Sequence, residues 1–336
     1  MNGNAARPVV DVVLVTGFLG TGKTSLIRAF LEGRDTARIG IIVNEAGDTG
    51  FDGIQIAEAT GERSAIRMLG NGCLCCDAAD DLGESLRDLV ARHVETTGSP
   101  SECIIVEASG LARPGKLLRQ FQAISDIPLR VHVVATVDAT LAADPGRHGE
   151  VAAQWAAASS LVLTRADLSD DGGRAALAQA WSVNPLAAYF GEGTPADRAV
   201  AAFAPGAVPG ARPLPDFDEG EAHGKVRAVT LRQSGGASWD ECAEWLDNLA
   251  GIGDERVLRV KGVVSPYRAG HSWLVQAVGT TFALPRAIAR EPEGHLVVIG
   301  EDLTPKWFAA IEPLGAFIQP DPAPHDEHRH ESHLHD

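Results

Sequence analysis

A glycine-rich stretch near the amino terminus, VTGFLGTGKT (residues 15–24), has the residue types and spacing of a phosphate-binding loop. Gly17, Gly22, Lys23 and Thr24 match the pattern G-x-x-x-x-G-K-[ST] between an apolar run and a helical pattern. Glycines let backbone N–H groups converge, and a helix amino terminus adds partial positive charge, so the loop is suited to bind a polyphosphate. The alternative interpretation is a merely glycine-rich turn. We expect Lys23 to reach the β- and γ-phosphates and the Thr24 hydroxyl to ligate Mg²⁺. The residues predicted to contact the nucleotide in this loop are Gly17, Gly20, Thr21, Gly22, Lys23, Thr24 and Ser25.

A carboxylate and a glycine follow a later apolar run. The run ECIIVE ends in Glu107, and Gly110 comes three residues further on. Glu107 is expected to hold Mg²⁺ through a water, and the Gly110 amide to bond the γ-phosphate, so that hydrolysis would release this segment. The sequence therefore predicts catalytic roles for Lys23, Glu107 and Gly110, against the alternative of an ordinary acidic turn.

Base selection is expected from Thr164-Arg-Ala-Asp167, which follows the apolar run SLVL. A carboxylate at Asp167 can accept from both N1–H and the exocyclic amine of guanine, a pattern that adenine does not present. Arg165 can lie along the face of the base, and Thr164 offers a polar handle. The pattern favours GTP, while a helix-capping aspartate remains the alternative for Asp167.

Three cysteines lie within four residues, in the stretch GNGCLCC. Turn-forming Gly and Asn residues allow Cys73, Cys75 and Cys76 to converge on one point. Three thiolates suit Zn²⁺ or Cu(I), and a shell short of four protein ligands favours transfer over storage. Glu45 is expected to be either a fourth ligand or a switch residue. Buried cysteines or a redox switch remain the alternatives.

The last residues of the chain are rich in histidine. Five of the eleven histidines lie in the final twelve residues. Imidazoles at that density can collect borderline cations weakly, although a solubilising polar tail is the alternative. The residues of this predicted weak metal site are His325, His328, His330, His333 and His335.

The elements that must position these residues alternate between short β-branched runs and longer Ala-rich amphipathic segments. This order predicts an α/β unit, a doubly wound and mostly parallel sheet of the P-loop NTPase type, over residues 1–203. A proline-rich linker is predicted at 204–223 and a smaller α+β unit at 224–319, followed by a disordered tail at 320–336. The predicted strands of the first unit cover residues 9–16, 37–44, 102–108, 130–138 and 160–164.

The second unit is predicted to begin with the strand VRAVTL, followed by a helix that a capping box at Ser238 and Glu241 opens and that runs through Leu249. Three further strands are predicted at ERVLRVKGVV, SWLVQAV and HLVVIG. A last helix should begin after Thr304 and run to about Leu314, because proline suits the first helical turn.

Composition limits the classes of partner. The 336 residues carry a net charge of −16 with no visible basic cluster, which argues against nucleic acid. No apolar run approaches the roughly 18 residues of a membrane span, and no secretory signal is visible, so we expect a cytoplasmic protein. Five cysteines, an odd number with three of them clustered, favour metal or redox chemistry over a disulfide framework.

The motifs GFLGTGKT, NEAGDTGFD, GCLCC, EASGLARP and TRAD occur in this order, and with them the chain resembles the CobW-like P-loop GTPases. These are metallochaperones related to the hydrogenase and urease nickel-insertion GTPases. The resemblance covers nearly the whole chain, since VLRVKGVV and HLVVIGEDL look like the carboxyl-terminal domain of that family. It implies Mg²⁺-dependent GTP hydrolysis coupled to transfer of zinc, cobalt or another transition metal to a client metalloprotein.

The resulting hypothesis is that GTP and Mg²⁺ order residues 44–52 and 107–113, which flank the cysteine loop, so that the metal site responds to the nucleotide. Intrinsic turnover should be slow, because no dedicated general base is apparent. Two rivals stay open: a P-loop ATP-dependent kinase or ligase with an incidental zinc site, and a nucleotide-regulated cytosolic metal buffer. The sequence leaves the client, the metal and homo-oligomer formation open.

Overall fold

A computed structural model describes residues 8–44, 56, 65–69, 79–99, 101–140, 149–204, 226–253 and 256–318. Within these residues, seven parallel strands form one sheet in the order β3-β2-β4-β1-β5-β6-β7. The strands of this first sheet are β1 (Val10–Thr16), β2 (Ile39–Asn44), β3 (Ala65–Leu69), β4 (Cys103–Glu107), β5 (Leu129–Asp138), β6 (Ser160–Thr164) and β7 (Ala188–Phe190). Its helices are α1 (Lys23–Leu31), α2 (Ala79–Thr97), α3 (Pro114–Ala123), α4 (Gly149–Ala157), α5 (Arg174–Val183) and α6 (Pro195–Phe203).

Both faces of the first sheet are covered, which is why its central strands are apolar without alternation. In β1, Val12 and Leu14 pack with α2 and α3 on one face. Val13 and Val15 pack with α1 and α6 on the other. Because successive side chains of a strand point to opposite faces, a continuous valine run supplies both cores.

The carboxyl ends of the parallel strands meet at one edge of this sheet. Register pairs Val15 of β1 with Glu107 of β4, Val43 of β2 with Glu107, and Asn44 of β2 with Leu69 of β3. Segments that leave these strands therefore start side by side, which is the usual location of ligand sites in open α/β sheets.

The second sheet is antiparallel and has the order β11-β10-β9-β13-β8-β14, with β12 paired to β10. Its strands are β8 (Val226–Gln233), β9 (Val257–Val264), β10 (Ser272–Val278), β11 (Thr281–Phe282), β12 (Arg286–Ile288), β13 (His295–Glu301) and β14 (Phe317–Ile318). Two helices accompany it, α7 (Trp239–Gly253) and α8 (Pro305–Ala309). One face packs on α7 around the fully buried Trp245.

The other face of the second sheet packs against the first unit. Val297 and Ile299 of β13 share a buried cluster with Trp155 of α4 and Ala180 of α5. The two sheets are therefore joined through α4 and α5, and an apolar core continues between them.

The predicted fold class is confirmed. Strand β6 has the predicted bounds, and the reciprocal bonds between Ser238 and Glu241 form the capping box that opens α7.

The prediction of a last helix to Leu314 was wrong, because α8 ends at Ala309. Pro313 has no N–H with which to continue a helical ladder, and the chain then turns into β14.

Five short strands, β3, β7, β11, β12 and β14, were not predicted, since none of them carries a pattern that outweighs its neighbours. The domain boundaries at 203, 223 and 319 stay predictions, as the linker and the tail lie largely outside the described residues.

Candidate nucleotide-binding site

The glycine loop joins β1 to α1 at the carboxyl edge of the first sheet. Gly17, Gly20 and Gly22 all have positive φ values, of 147°, 72° and 85°. A Cβ at Gly17 would lie 1.9 Å from Oγ1 of Thr136, so only glycine fits there. The exposed Ser25 lies in the first turn of α1, whose amides have no intrahelical acceptor. The loop has the backbone shape and the free helix terminus that a polyphosphate needs.

The lysine of the motif folds back over this loop. Its Nζ donates to the carbonyl oxygens of Gly17 (2.9 Å) and Phe18 (3.1 Å), and the residue is buried. The two loop carbonyls thus hold the ammonium beside the loop. A polyphosphate can replace these carbonyls as acceptor, because its charged oxygens make stronger hydrogen bonds.

Oxygen donors from two elements meet beside the loop. The Thr24 hydroxyl donates to Oε1 of Glu107 at 2.8 Å, and Glu107 is 3% exposed at the end of β4. A hydroxyl and a carboxylate are the hard oxygen ligands that Mg²⁺ prefers. The donor set therefore fits the magnesium ion predicted for these two residues.

Gly110 lies directly against the glycine loop. A Cβ at this position would be 2.8 Å from the backbone nitrogen and 2.9 Å from Cα of Leu19. The segment after β4 therefore touches the loop through backbone atoms, and the absence of a side chain permits the contact. This supports the predicted location of Gly110, although its role stays a prediction.

Gln154 of α4 was missed by the sequence analysis. Its Nε2 donates to the carbonyl oxygens of Gly110 (2.9 Å) and Ala112 (3.1 Å), and the side chain is fully buried. The neighbouring Trp155 donates from Nε1 to the carbonyl of Thr136 at 3.3 Å. A glutamine within an alanine-rich helical pattern was the only sequence signal, and it does not identify a partner 44 residues away.

Thr136 of β5 was also missed. Its Oγ1 lies 2.6 Å from Oγ1 of Thr21, which in turn donates to the carbonyl of Phe18 at 2.8 Å. The predicted loop residue Thr21 is thus buried, and its side chain supports the loop from behind.

The TRAD segment begins at the end of β6. The Thr164 hydroxyl donates to the carbonyl of Thr21 at 2.8 Å, so its polar group is directed at the glycine loop. Arg165 has a positive φ of 54°, and its Nη1 donates to Oδ2 of Asp138 at 2.8 Å. Asp167 is exposed in the following 3₁₀ turn.

Asp138 fixes the direction of Arg165 and was not predicted. Its side chain is fully buried at the end of β5, and it also accepts from the backbone and the hydroxyl of Thr140. The aspartate that ends RVHVVATVD was the available signal, but its partner lies 27 residues further along the chain.

The predicted cargo-metal residues lie outside the described residues. These are Glu45, Cys73, Cys75, Cys76, His325, His328, His330, His333 and His335. In the part of the chain that the structure describes, no group of three His, Cys, Asp or Glu side chains could hold a metal ion. Burial raises the pKa of the Cys103 and Cys242 thiols to about 12, which disfavours the thiolate form that metals bind.

No helix among the described residues has both the length and the apolar character of a membrane span.

Two family models match the chain. The model of the CobW/HypB/UreG nucleotide-binding domain matches residues 11–189, and that of the cobalamin synthesis protein cobW carboxyl-terminal domain matches residues 226–311. The first match contains the glycine loop, Glu107, Gly110 and the TRAD segment, and the second contains most of the antiparallel sheet.

Similar proteins include the zinc chaperone CobW of a Sinorhizobium species, 40% identical over 147 residues, which are 42% of this chain and 40% of that protein. The zinc chaperone YjiA of Escherichia coli is 30% identical over 167 residues, which are 48% of this chain and 51% of that protein. The chain thus spans about two fifths to one half of the length of these relatives.

The crystal structure of Zn(II)-bound YjiA GTPase from E. coli has the same fold, with a TM-score of 0.67 at 19% identity. The match covers 90% of this chain and 98% of that one.

Proposed function

The chain belongs to the CobW/HypB/UreG family of nucleotide-binding proteins, and from this premise we propose that it is a GTP-hydrolysing metallochaperone. In this proposal it binds a transition metal, zinc because thiolates favour it, at the cysteine loop and delivers it to a client metalloprotein. GTP binding and hydrolysis control the transfer. The observation that carries the proposal is the contact of Lys23, Thr24, Glu107 and Gly110 around one glycine loop.

The phosphate end of the proposal rests on these four residues. Lys23 exchanges its carbonyl partners for the β- and γ-phosphates, because a charged acceptor makes stronger hydrogen bonds than a neutral one. Thr24 and Glu107 hold Mg²⁺, which when bound neutralises the charge that develops on the phosphates. Gly110 presents its amide to the γ-phosphate while Gln154 holds the carbonyls on both sides of Leu111.

Base selection is assigned to Asp167. In the proposal its exposed carboxylate accepts from the guanine edge, and Arg165, fixed by Asp138, lies along the base. Thr164 acts from behind by tying the end of β6 to the glycine loop. In the proposal the base and the phosphates are therefore bound by segments that follow different strands at the same edge of the sheet.

The link to the metal follows from strand order. The segment that carries Cys73, Cys75 and Cys76 follows Leu69 at the end of β3, and Glu45 follows Asn44 at the end of β2. Both segments therefore leave the sheet at the edge that holds Glu107 and the glycine loop. Thiolates are suited to zinc, and in the proposal a change in the γ-phosphate contact at this edge alters the metal site.

The decisive experiment is calorimetric titration of the full chain with Zn²⁺ in three nucleotide states: none, a non-hydrolysable GTP analogue with Mg²⁺, and GDP. We expect a zinc affinity that differs at least tenfold between the analogue and GDP states. Cys75→Ser should abolish the tight site, while Cys103→Ala, which removes a thiol elsewhere, should leave it in place. Equal zinc affinity in all three states contradicts the coupling.

A second experiment tests the assignment of the base. Asp167→Asn should shift preference from guanine towards xanthine nucleotides, because an amide donates where the carboxylate accepted. Asp170→Asn, at another exposed carboxylate of the same segment, is the matched control. Unchanged selectivity would refute the role of Asp167, and a preference of the unaltered chain for ATP would favour the kinase or ligase alternative.

A third experiment concerns the client. Cells that lack the protein should lose metal from at least one metalloenzyme under zinc limitation, as element analysis of fractionated extracts would record. If total cellular zinc changes but no enzyme loses its metal, the protein is a nucleotide-regulated buffer instead.

A further inference from the structure

A cavity of about 690 Å³ lies between the two units, far from the glycine loop in the fold. Its walls come from α3, the start of β5, the end of α4, and strands β9, β10 and β11. Sites for small organic ligands usually have volumes of roughly 300–1,000 Å³. The cavity is thus large enough for a small molecule.

One side of the cavity is apolar. Leu118 and Phe121 of α3 face it, and Val278 and Phe282 of β10 and β11 line it from the second sheet. Leu284 also lines the cavity and is 95% exposed, so it lies at the opening. Leu284 thus extends the apolar side of the cavity to its opening.

The charge of the lining is positive, although the chain carries −16 overall. Among the described lining residues, Arg130 and Arg259 are cationic and none is acidic. Arg130 forms a bidentate pair with Asp11, so its charge is compensated. The uncompensated positive charge among the described lining residues is therefore that of Arg259.

Arg259 is 5% exposed, and its Nη1 donates to the carbonyl oxygens of Ala156 and Ala157 at the end of α4. Its Nε is buried, and no acceptor in the described part of the chain reaches it. Burial lowers the pKa of this guanidinium to about 10, so the side chain is still a cation at neutral pH. A buried guanidinium with only backbone partners has donors left for an anion.

We propose that this cavity binds a small amphipathic carboxylate. The carboxylate pairs with the guanidinium of Arg259, and the apolar body lies against Phe121, Val278 and Phe282. Guanidinium–carboxylate pairs in a dry setting are strong and geometrically specific, while the aliphatic and aromatic wall removes the rest of the ligand from water.

The cavity is separate from the nucleotide site. Leu129 and Arg130, at the amino end of β5, line it, while the glycine loop follows Thr16 at the carboxyl end of β1. Strands β1 and β5 are parallel neighbours, so the two sites lie at opposite edges of the same sheet. The carboxylate site stands whether or not the other edge binds GTP.

The test is calorimetric titration of the full chain with hexanoate, octanoate and decanoate, and with octanol and octyltrimethylammonium. We expect saturable one-to-one binding of at least one carboxylate. Octanol should bind at least tenfold more weakly than octanoate, and the ammonium should not bind.

Substitutions then locate the site. Arg259→Met should weaken carboxylate binding at least tenfold, and Arg259→Lys should retain part of it. Arg232→Met, at an exposed arginine of β8, is the matched control and should stay within about twofold of the unaltered chain.

Because Arg259→Met also removes two bonds to α4, the exposed Leu284 provides a pair of variants that leave the interior intact. Leu284→Lys should strengthen and Leu284→Glu should weaken octanoate binding, each by about two- to tenfold. Octanol binding as tight as octanoate, no saturable binding by any carboxylate, or effects of the same sign for the two Leu284 variants would each overturn the proposal.

Discussion

The two edges of the first sheet carry candidate sites of opposite construction. At the carboxyl edge, backbone amides, Lys23 and the Thr24–Glu107 pair surround a loop of eight residues, 17–24. At the amino edge, a cavity with one apolar side contains a buried guanidinium, that of Arg259 from β9 of the second sheet. The first site is polar and built for multiple negative charges, while the second suits a single charge on an apolar body.

This contrast shows how one parallel sheet separates two chemistries. Helix amino termini and loop amides collect at the carboxyl ends of the strands, which favours phosphates there. At the amino ends, helix carbonyls collect instead, and Arg259 bonds two of them at the end of α4. An anion at that edge therefore needs a full side-chain charge, which Arg259 supplies.

The largest expected effect separates the two edges. Lys23→Ala should reduce single-turnover GTP hydrolysis by about 10²–10³-fold, since it removes a charged donor aimed at the phosphates. Octanoate affinity should stay unchanged. Arg28→Ala, at an exposed arginine of the same helix, is the control. Loss of both activities in Lys23→Ala would mean that the two edges are not independent.

A second substitution tests the close backbone contact at the carboxyl edge. Gly110→Ala places a Cβ within 3 Å of Leu19 and should displace the segment, which lowers GTP hydrolysis by about 10- to 100-fold. Gly251→Ala in α7 meets open space and should instead stabilise the chain by about 0.5–1 kcal/mol in urea unfolding. If Gly110→Ala leaves GTP hydrolysis unchanged, the segment after β4 does not respond to the γ-phosphate as proposed.

A smaller effect is expected for the hydrogen bond by which Thr164, at the end of β6, holds the glycine loop. Thr164→Val keeps the shape but loses the bond to Thr21, which costs about 1 kcal/mol and should weaken GTP binding about fivefold. Thr164→Ser keeps the hydroxyl and should restore affinity in a fluorescence titration. Equal weakening by valine and serine would indicate packing rather than the hydrogen bond.

The smallest effect concerns pH and two histidines of the first sheet unit. Burial lowers the pKa of His93 and His132 below the ordinary value of 6.5. The unfolded chain therefore takes up protons first as pH falls through 6.5, and the stability contributed by the neutral rings, fully present above that pH, is lost below it.

Urea unfolding at pH 7.5 and pH 5.5 measures this loss. His93→Asn should reduce the difference between the two pH values, whereas His295→Asn, at an exposed histidine of the second sheet, should not. Greater stability at the lower pH would contradict the direction assigned to both pKa shifts.

Much of the carboxyl edge was predictable because its chemistry lies in contiguous motifs. Lys23 and Thr24 belong to the motif that follows β1, and Glu107 is the last residue of β4. Both strands are plain apolar runs in the sequence, so the edge at which these polar residues lie could be predicted. Gln154, Thr136 and Asp138 were not predictable, since each acts on a residue in another element.

The sequence alone determined the order of elements, the glycine loop and the family resemblance, because spacing along the chain dictates local backbone shape and the periodicity of burial. Tertiary structure decided that Thr164 ties β6 to the loop and that Asp138 holds Arg165. It also decided that Arg259 meets α3, β5 and β11 at one cavity. The first two contacts exist only once β1, β5 and β6 lie side by side in one sheet. The third exists only once the two sheets have packed through α4 and α5, because Arg259 belongs to the second sheet.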